Sequence, residues 1–229
     1  MNAAAASYVA LRHAVAEAAR AAAHPVHLLA VSKTRPAADI RALAARGQRA
    51  FGENYVQEAL AKQRELADLD LEWHLIGPLQ SNKCREAATH FDWLESLDRE
   101  KLVALLDRHR PANRAPLNVL IQVNIDDEAG KSGCAPESVS ALATAVAAAP
   151  RLQLRGLMAI PAPHADPARR RDAFRRMRAL FDALRTGHPD IDTLSMGMSD
   201  DFGLAIAEGA TEVRIGSAIF GGRAAPQSA

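Results

Sequence analysis

Two stretches near the C-terminal end of the chain have the residue types of a phosphate-binding site. Residues 193–202 read Thr-Leu-Ser-Met-Gly-Met-Ser-Asp-Asp-Phe, and residues 211–218 read Thr-Glu-Val-Arg-Ile-Gly-Ser-Ala. Each looks like a short apolar strand that ends in small residues and leads into a helix. The helix would begin at Asp200 in the first stretch and at Ser217 in the second. Glycine lets a backbone approach an anion, serine hydroxyls donate to it, and the free N–H groups of a helix start point the same way. Either turn alone also suits an ordinary strand-to-helix connection, but together they predict a phosphate seat.

A lysine near the other end of the chain supplies a second chemical group. Residues 26–33 read Val-His-Leu-Leu-Ala-Val-Ser-Lys, an apolar run of strand length that ends at Lys33. Lysine is scarce here, with five lysines against 23 arginines. Lys33 is therefore a candidate reactive amine, and the alternative is a lysine that extends from a strand end into solvent.

The elements that would position these groups alternate between apolar runs and helix-forming segments. Helices are predicted over 3–23, 37–46, 54–67, from about 81, and over 99–109, 136–148 and 167–186. Strands are predicted over 26–33, 49–54, 71–77, 91–97, 117–124, 152–160, 193–197 and 212–216. Eight such strands predict a parallel sheet that closes, so we predict an α/β fold, a single (β/α)8 TIM barrel over residues 1–229. An open doubly wound sheet is the alternative, weakened because no GxGxxG follows the first strand.

A barrel would bring the two chemical groups together. The C-terminal ends of all its strands open on one face, and chemistry collects there. Lys33 would then face the phosphate seat made by the seventh and eighth strands, with Asn54 at the end of the second. An amine opposite a phosphate seat is the arrangement that holds a phosphorylated aldehyde as a Schiff base.

The bulk composition excludes several classes of protein. The formal net charge is +1, so no overall field favours nucleic acid or an anionic membrane. Cys84 and Cys134 stand far apart without a CxxC pair, which argues against a disulfide framework or a zinc site and fits a cytoplasmic protein. Asp126, Asp127 and Glu128 lack the spacing of a calcium loop, so no metal is predicted. The arginine-rich segment 169–178 contains and adjoins aspartates, which predicts an exposed ion-paired helix rather than a nucleic-acid surface.

Six sequence blocks spread along the chain carry a family resemblance. They read Val-Ser-Lys-Thr at 31–34, Phe-Gly-Glu-Asn-Tyr-Val-Gln-Glu at 51–58, His-Leu-Ile-Gly-Pro-Leu-Gln-Ser-Asn-Lys at 74–83, Gly-Leu-Met-Ala-Ile-Pro at 156–161, Ser-Met-Gly-Met-Ser-Asp-Asp at 195–201 and Val-Arg-Ile-Gly at 213–216. Together they resemble the pyridoxal phosphate homeostasis proteins over residues 26–222. The resemblance implies a barrel of the alanine racemase N-terminal domain type that binds pyridoxal 5′-phosphate (PLP).

The resemblance also implies a role for particular residues. Lys33 matches the family's cofactor lysine, which forms the Schiff base. Ser199, Gly216 and Ser217 match its phosphate-binding positions. Arg214 matches the arginine that faces the pyridine nitrogen, and Asn54 the asparagine near the ring. Three further residues, left open between the ring pocket and the core, are His74, Met158 and Met196.

The expected function is cofactor binding without catalytic residues. The family takes part in vitamin B6 and amino-acid homeostasis without demonstrated turnover. A permanent cation beside the pyridine nitrogen keeps that nitrogen unprotonated and makes the ring a weaker electron sink. The alternative is an enzyme, either an amino-acid racemase or a Schiff-base lyase that acts on a phosphorylated sugar. Racemases of this type use a tyrosine base from a second domain, whereas this chain has only Tyr8 and Tyr55.

Expected partners are PLP and the apo forms of PLP enzymes that receive it, with the protein acting as a monomer. Lys83 and Lys131 follow the third and fifth strands, so both are expected in loops on the face of Lys33. One of them is a hypothetical aid to cofactor release, and two solvated loop lysines are the alternative. Lys62 and Lys101 are expected on outer helices.

Overall fold

Eight parallel strands form a closed barrel in sequence order, with β1 pairing with both β2 and β8. The computed structural model describes residues 3–128 and 130–221. The strands are β1 His27–Val31, β2 Ala50–Glu53, β3 Glu72–Leu75, β4 Trp93–Leu97, β5 Leu117–Val123, β6 Leu152–Ala159, β7 Thr193–Ser195 and β8 Glu212–Ile215. The predicted TIM barrel is confirmed, and the open doubly wound sheet is wrong because the last strand returns to the first.

Helices surround the barrel and, apart from the first, follow the strands. They are α1 Ala3–Ala22, α2 Ala37–Ala44, α3 Val56–Glu65, α4 Cys84–His90, α5 Glu100–His109, α6 Val139–Ala147, α7 Pro167–Gly187, α8 Phe202–Ala207 and α9 Ser217–Phe220. Short 3-10 turns over Ser81–Lys83 and Pro136–Ser138 precede α4 and α6. The predicted domain of residues 1–229 includes 1, 2, 129 and 222–229, which lie outside the described residues.

Two predicted boundaries differ from the observed ones for a local reason. The first strand ends at Val31 because the Ser32 carbonyl accepts the Arg35 N–H in a turn at 3.0 Å. Lys33 therefore lies in a turn beyond the strand rather than at its last position. The helix expected from Asp200 begins at Phe202, whose N–H donates to the Met198 carbonyl at 2.9 Å. This first amide of α8 is used inside its own loop and does not point at an anion.

The barrel interior is unusually polar for a buried region. Residues two apart on a strand share a face, so Glu212 and Arg214 of β8 both face the barrel interior. His74 and Trp93 stack there with ring centroids 5.1 Å apart. The apolar core that stabilises the barrel lies mainly outside, between strands and helices, where Phe51, Phe91, Phe174 and many aliphatic side chains are buried.

The surface of α7 matches the ion-paired helix predicted from the sequence. Arg171 and Arg175 both contact Glu208, each at 3.0 Å, and Arg178 pairs with Asp182 at 2.8 Å. Phe174 and Phe181 lie on the buried face, as their spacing predicts. No helix of the described residues is long and apolar enough to span a bilayer.

Candidate cofactor-binding site

A cavity of about 300 Å³ opens at the C-terminal mouth of the barrel. Its volume is at the lower end of small-molecule pockets, which span roughly 300–1,000 Å³. All six residues predicted from the sequence line it, namely Lys33, Asn54, Ser199, Arg214, Gly216 and Ser217. They come from the ends of β1, β2, β7 and β8, so barrel closure alone brings them together. Their binding of a cofactor stays a prediction.

Lys33 lies in a turn whose two neighbouring residues are both anchored. Ser32 donates its hydroxyl to Glu53 Oε1 at 2.6 Å, and the Thr34 N–H donates to Glu58 Oε1 at 2.6 Å. Thr34 has a φ of 62°, a left-handed conformation that costs a β-branched residue on the order of 1–3 kcal/mol. Such strain persists only where the surroundings hold it, and the two glutamates supply that support.

Lys62 is the group that binds these glutamates. Its Nζ donates to Glu53 Oε1 at 2.7 Å, to Glu58 Oε1 at 2.7 Å and to the Ser32 carbonyl at 2.8 Å. Its side chain is only 7% exposed. Burial raises the pKa of Glu53, and the hydrogen bonds from Lys62 and Ser32 oppose that rise.

The expected helix position of Lys62 is confirmed, and the burial of its side chain is a further finding. The residue lies on a helix, α3, but its side chain points inward beneath the Lys33 turn rather than outward. A signal for this was present in the sequence, since Val56, Ala59 and Lys62 recur every three residues on one helical face, and all three are buried. A lysine on an apolar face needs an anionic partner, and Glu53 at the end of β2 provides it.

The loops after β7 and β8, which are predicted from the sequence to form a phosphate seat, meet beside the cavity. Ser217 donates its hydroxyl to Ser199 Oγ at 2.9 Å, and the Ala218 N–H donates to the same oxygen at 3.2 Å. A Cβ on Gly216 would lie 3.2 Å from the Val31 carbonyl oxygen, so glycine keeps the ends of β1 and β8 close. Two hydroxyls and backbone amides thus border the cavity beside Lys33.

Arg214 closes the inner end of the cavity. It is 3% exposed, and its two terminal nitrogens donate to Ser195 Oγ at 2.6 Å and to the Ala159 carbonyl at 2.8 Å. Burial lowers the pKa of Arg214, while the charges of Glu95 and Glu212 raise it. An arginine stays protonated in proteins, so the inner wall of the cavity carries a fixed cation.

Asn54 is brought to the cavity by a close backbone contact. A Cβ on Gly77 would lie 2.2 Å from the Asn54 carbonyl oxygen, a distance that no side chain tolerates. Glycine at 77 therefore lets the chain after β3 pass directly over the end of β2.

The three residues left open by the sequence belong to the core. His74, Met158 and Met196 are at most 1% exposed, and none lines the cavity. The apolar wall of the cavity is formed instead by Val31, Ile76, Ile160, Met198 and Phe220. Apolar residues at strand ends look the same in sequence whether they face a pocket or a helix, so only the closed barrel distinguishes them.

The two loop lysines lie apart from the cavity lining. Lys83 ends the 3-10 turn before α4, with its Nζ 3.7 Å from Glu86. Lys131 lies in the loop after β5 and pairs with Glu128. The structure thus gives both the loop positions expected for them.

Comparison with known proteins places this chain in a family. Residues 7–224 match the family described as alanine racemase, N-terminal domain. A pyridoxal phosphate homeostasis protein of Pseudomonas aeruginosa is 58% identical over 212 residues, which cover 91% of each chain. This chain belongs to the pyridoxal phosphate homeostasis protein family. The Escherichia coli protein of that name is 55% identical over 201 residues, covering 86% of each chain.

The solved structure of a similar protein agrees with the barrel described above. PipY of Synechococcus elongatus, solved with PLP bound, superposes with a TM-score of 0.84 and is 41% identical to this chain. The superposition covers 95% of this chain and 100% of PipY.

Proposed function

We propose that this chain binds PLP in the cavity at the C-terminal mouth and takes part in vitamin B6 and amino-acid homeostasis. The observation that carries the proposal is the meeting of an amine, a fixed guanidinium and a hydroxyl-lined turn in one cavity. The proposed ligands are Lys33 for the aldehyde, Ser199, Gly216 and Ser217 for the phosphate, Arg214 for the pyridine nitrogen, and Asn54 for the ring. The relative solved with bound PLP supports this reading.

The groups present in the cavity suit this cofactor. A phosphate needs several N–H and O–H donors. The Ser199 hydroxyl is one, and the Ser217 hydroxyl and Ala218 amide, which donate to Ser199 Oγ in this structure, would turn from that oxygen to the phosphate. An aldehyde needs a primary amine, which Lys33 supplies through condensation that forms a C=N bond and releases one water. An unprotonated ring nitrogen accepts a hydrogen bond, which the Arg214 guanidinium can donate.

Binding and delivery fit this arrangement better than turnover. A guanidinium beside the ring nitrogen has no proton that it readily gives up, so the ring remains a weak electron sink. Tyr8 is buried and donates to Gln48 Oε1 at 3.0 Å, while Tyr55 is 61% exposed. Neither tyrosine lines the cavity, so neither takes the place of a racemase base. A racemase remains the alternative, and production of D-alanine from L-alanine faster than by free PLP would favour it.

Arg214→Gln is expected to weaken PLP binding about tenfold to a hundredfold. Loss of a hydrogen bond from a charged group costs about 1.5–3 kcal/mol, which corresponds to that change in the dissociation constant. Titration monitored by cofactor absorbance measures it. Arg185→Gln on the exposed side of α7 is the matched control. An unchanged dissociation constant in Arg214→Gln would remove this residue from the site.

Delivery to apo PLP enzymes is the second part of the proposal. We expect Lys83→Ala or Lys131→Ala to slow transfer of PLP to an apo acceptor enzyme when all proteins are loaded to equal occupancy. Lys101→Ala on α5 is the control, because that lysine is exposed on an outer helix. Equal transfer rates from all variants and the wild type would leave the protein as a reservoir without an assisting loop lysine.

We also propose that the protein is a cytoplasmic monomer. Cys84 and Cys134 are both free and buried, and burial raises the pKa of each thiol to about 11, which disfavours the reactive thiolate. Of the exposed large hydrophobic side chains in the described residues, Ile160 and Met198 border the cavity, and the others are Val9 and Tyr55. Sedimentation analysis with and without PLP tests the monomer.

A further inference from the structure

A chain of polar side chains runs through the barrel interior from the cavity to the opposite mouth. Arg214 donates to Ser195 Oγ at 2.6 Å, and Ser195 donates to Glu95 Oε2 at 2.8 Å. Glu95 Oε1 lies 2.7 Å from His74 Nδ1, and His74 Nε2 lies 2.9 Å from Glu72 Oε1. The first four residues are at most 3% exposed, whereas the Glu72 side chain is 47% exposed. The chain thus links the cofactor side of Arg214 to solvent at the N-terminal mouth.

The direction of each hydrogen bond follows from the groups involved. A guanidinium has only donors, so Ser195 accepts from Arg214. The one hydroxyl proton of Ser195 then goes to Glu95, which requires a carboxylate oxygen without a proton. With its proton directed at Glu95, Ser195 presents a lone pair to Arg214.

His74 keeps Glu95 in the accepting form. Burial pulls the pKa of His74 down, but hydrogen bonds to Glu72 and Glu95 outweigh it and raise that pKa to about 10. Burial likewise favours protonation of Glu95, yet the hydrogen bond from His74 and the charges of His74 and Arg214 hold the pKa of Glu95 below its usual value. His74 is therefore an imidazolium that donates from both nitrogens, and Glu95 is a carboxylate.

The ionised groups along this chain balance in charge. Two cations, Arg214 and His74, face two carboxylates, Glu95 and Glu72. Donor atoms of His74, Glu95 and Glu212 lie within 4.8 Å of one another, a set that suits a divalent cation in type. Both His74 nitrogens already bond to carboxylates, however, and burial with the nearby Glu95 charge raises the pKa of Glu212 to about 8, which disfavours the anion that a metal would need.

We propose that Glu95 is a positioning residue for PLP binding, which acts on the cofactor only through Ser195 and Arg214. By accepting the hydrogen bond from Ser195 it directs the hydroxyl proton away from the guanidinium and so holds Arg214 against the cavity. His74 in turn holds Glu95. The inference rests on the proposed binding of PLP.

A double-mutant cycle on PLP affinity tests this role. Glu95→Gln keeps the shape of the side chain, but its amide N–H₂ can donate to Ser195 and turn the hydroxyl proton toward Arg214. We expect this variant to raise the PLP dissociation constant about tenfold, within the range of coupling between residues that share a hydrogen-bond network. In an Arg214→Gln background the same change is expected to alter the constant less than about twofold, because its effect passes through the arginine. The absorption maximum of bound cofactor in Glu95→Gln should shift toward that of Arg214→Gln.

Two controls separate positioning from general structural damage. Asp192→Asn changes a carboxylate that pairs with Arg155, outside the chain, to an amide and is expected to leave affinity unchanged. Ser195→Ala removes the hydroxyl that joins Glu95 to Arg214 and should cause the same loss of PLP affinity as Glu95→Gln. It therefore tests the positioning role if Glu95→Gln does not fold. An equal loss from Glu95→Gln in both backgrounds would overturn the positioning role. Failure of the wild type to bind PLP would instead overturn the proposed function.

Discussion

Lys33→Ala is expected to abolish the covalent PLP adduct while leaving weaker, reversible binding. The amine is lost, but the seat formed by Ser199, Gly216 and Ser217 comes from other strands and does not depend on the Lys33 turn. Intact mass after borohydride treatment measures the adduct, and equilibrium dialysis measures the remaining affinity. Circular dichroism checks that the barrel is retained.

The control for this prediction is Lys101→Ala, which removes an exposed lysine from α5. That variant should form the adduct at wild-type occupancy. A reducible adduct in Lys33→Ala at wild-type occupancy would show that another lysine holds the cofactor.

Lys62→Met is expected to destabilise the protein by about 3–5 kcal/mol, which is the usual cost of removing one partner of a buried ion pair. Methionine replaces the apolar stem, but Glu53 remains buried and loses its 2.7 Å cationic partner. The Ser32 carbonyl and Glu58 lose the same contact, so adduct formation at the neighbouring Lys33 should slow as well. Urea unfolding measures the free energy, and the rate of borohydride-trapped adduct measures the second effect.

A second substitution identifies the cause of that loss. Glu53→Gln combined with Lys62→Met removes the uncompensated charge and should recover a large part of the stability, because replacing both partners costs less than removing one. Lys101→Met is the matched surface control and should change stability by less than about 0.5 kcal/mol. A loss below about 1 kcal/mol in Lys62→Met would mean that the buried ion pair contributes little.

The barrel could be predicted from the sequence because most positions of its strands are buried. Such strands appear as continuous apolar runs between helix-forming segments, and β5, β6, β7 and β8 begin where those runs begin, at Leu117, Leu152, Thr193 and Glu212. Strand ends were less certain because they depend on turns. The bond from Arg35 to Ser32 that ends β1 is a matter of local geometry that an apolar pattern does not record.

The candidate site could be predicted as a set of residues but not as a network. Strand-end positions and the family resemblance selected Lys33 and Arg214, since these depend on position along the chain. The hydrogen-bonding partners that hold these two residues cannot be found from position along the chain. Ser195 and Glu95 are 100 residues apart in sequence, and Lys62 meets Glu53 only because α3 packs on β2. Buried polar pairs of this kind require knowledge of which face each residue takes.

The central claim is that Lys33 holds PLP in this cavity, and one measurement tests it directly. The wild-type protein is loaded with PLP, its absorbance spectrum is recorded before and after borohydride reduction, and peptide mapping locates the modified lysine. We expect a near-ultraviolet or violet band that reduction removes, and a single modified peptide containing Lys33. A protein that shows no reducible band, or whose modification lies on a lysine other than Lys33, would contradict the claim.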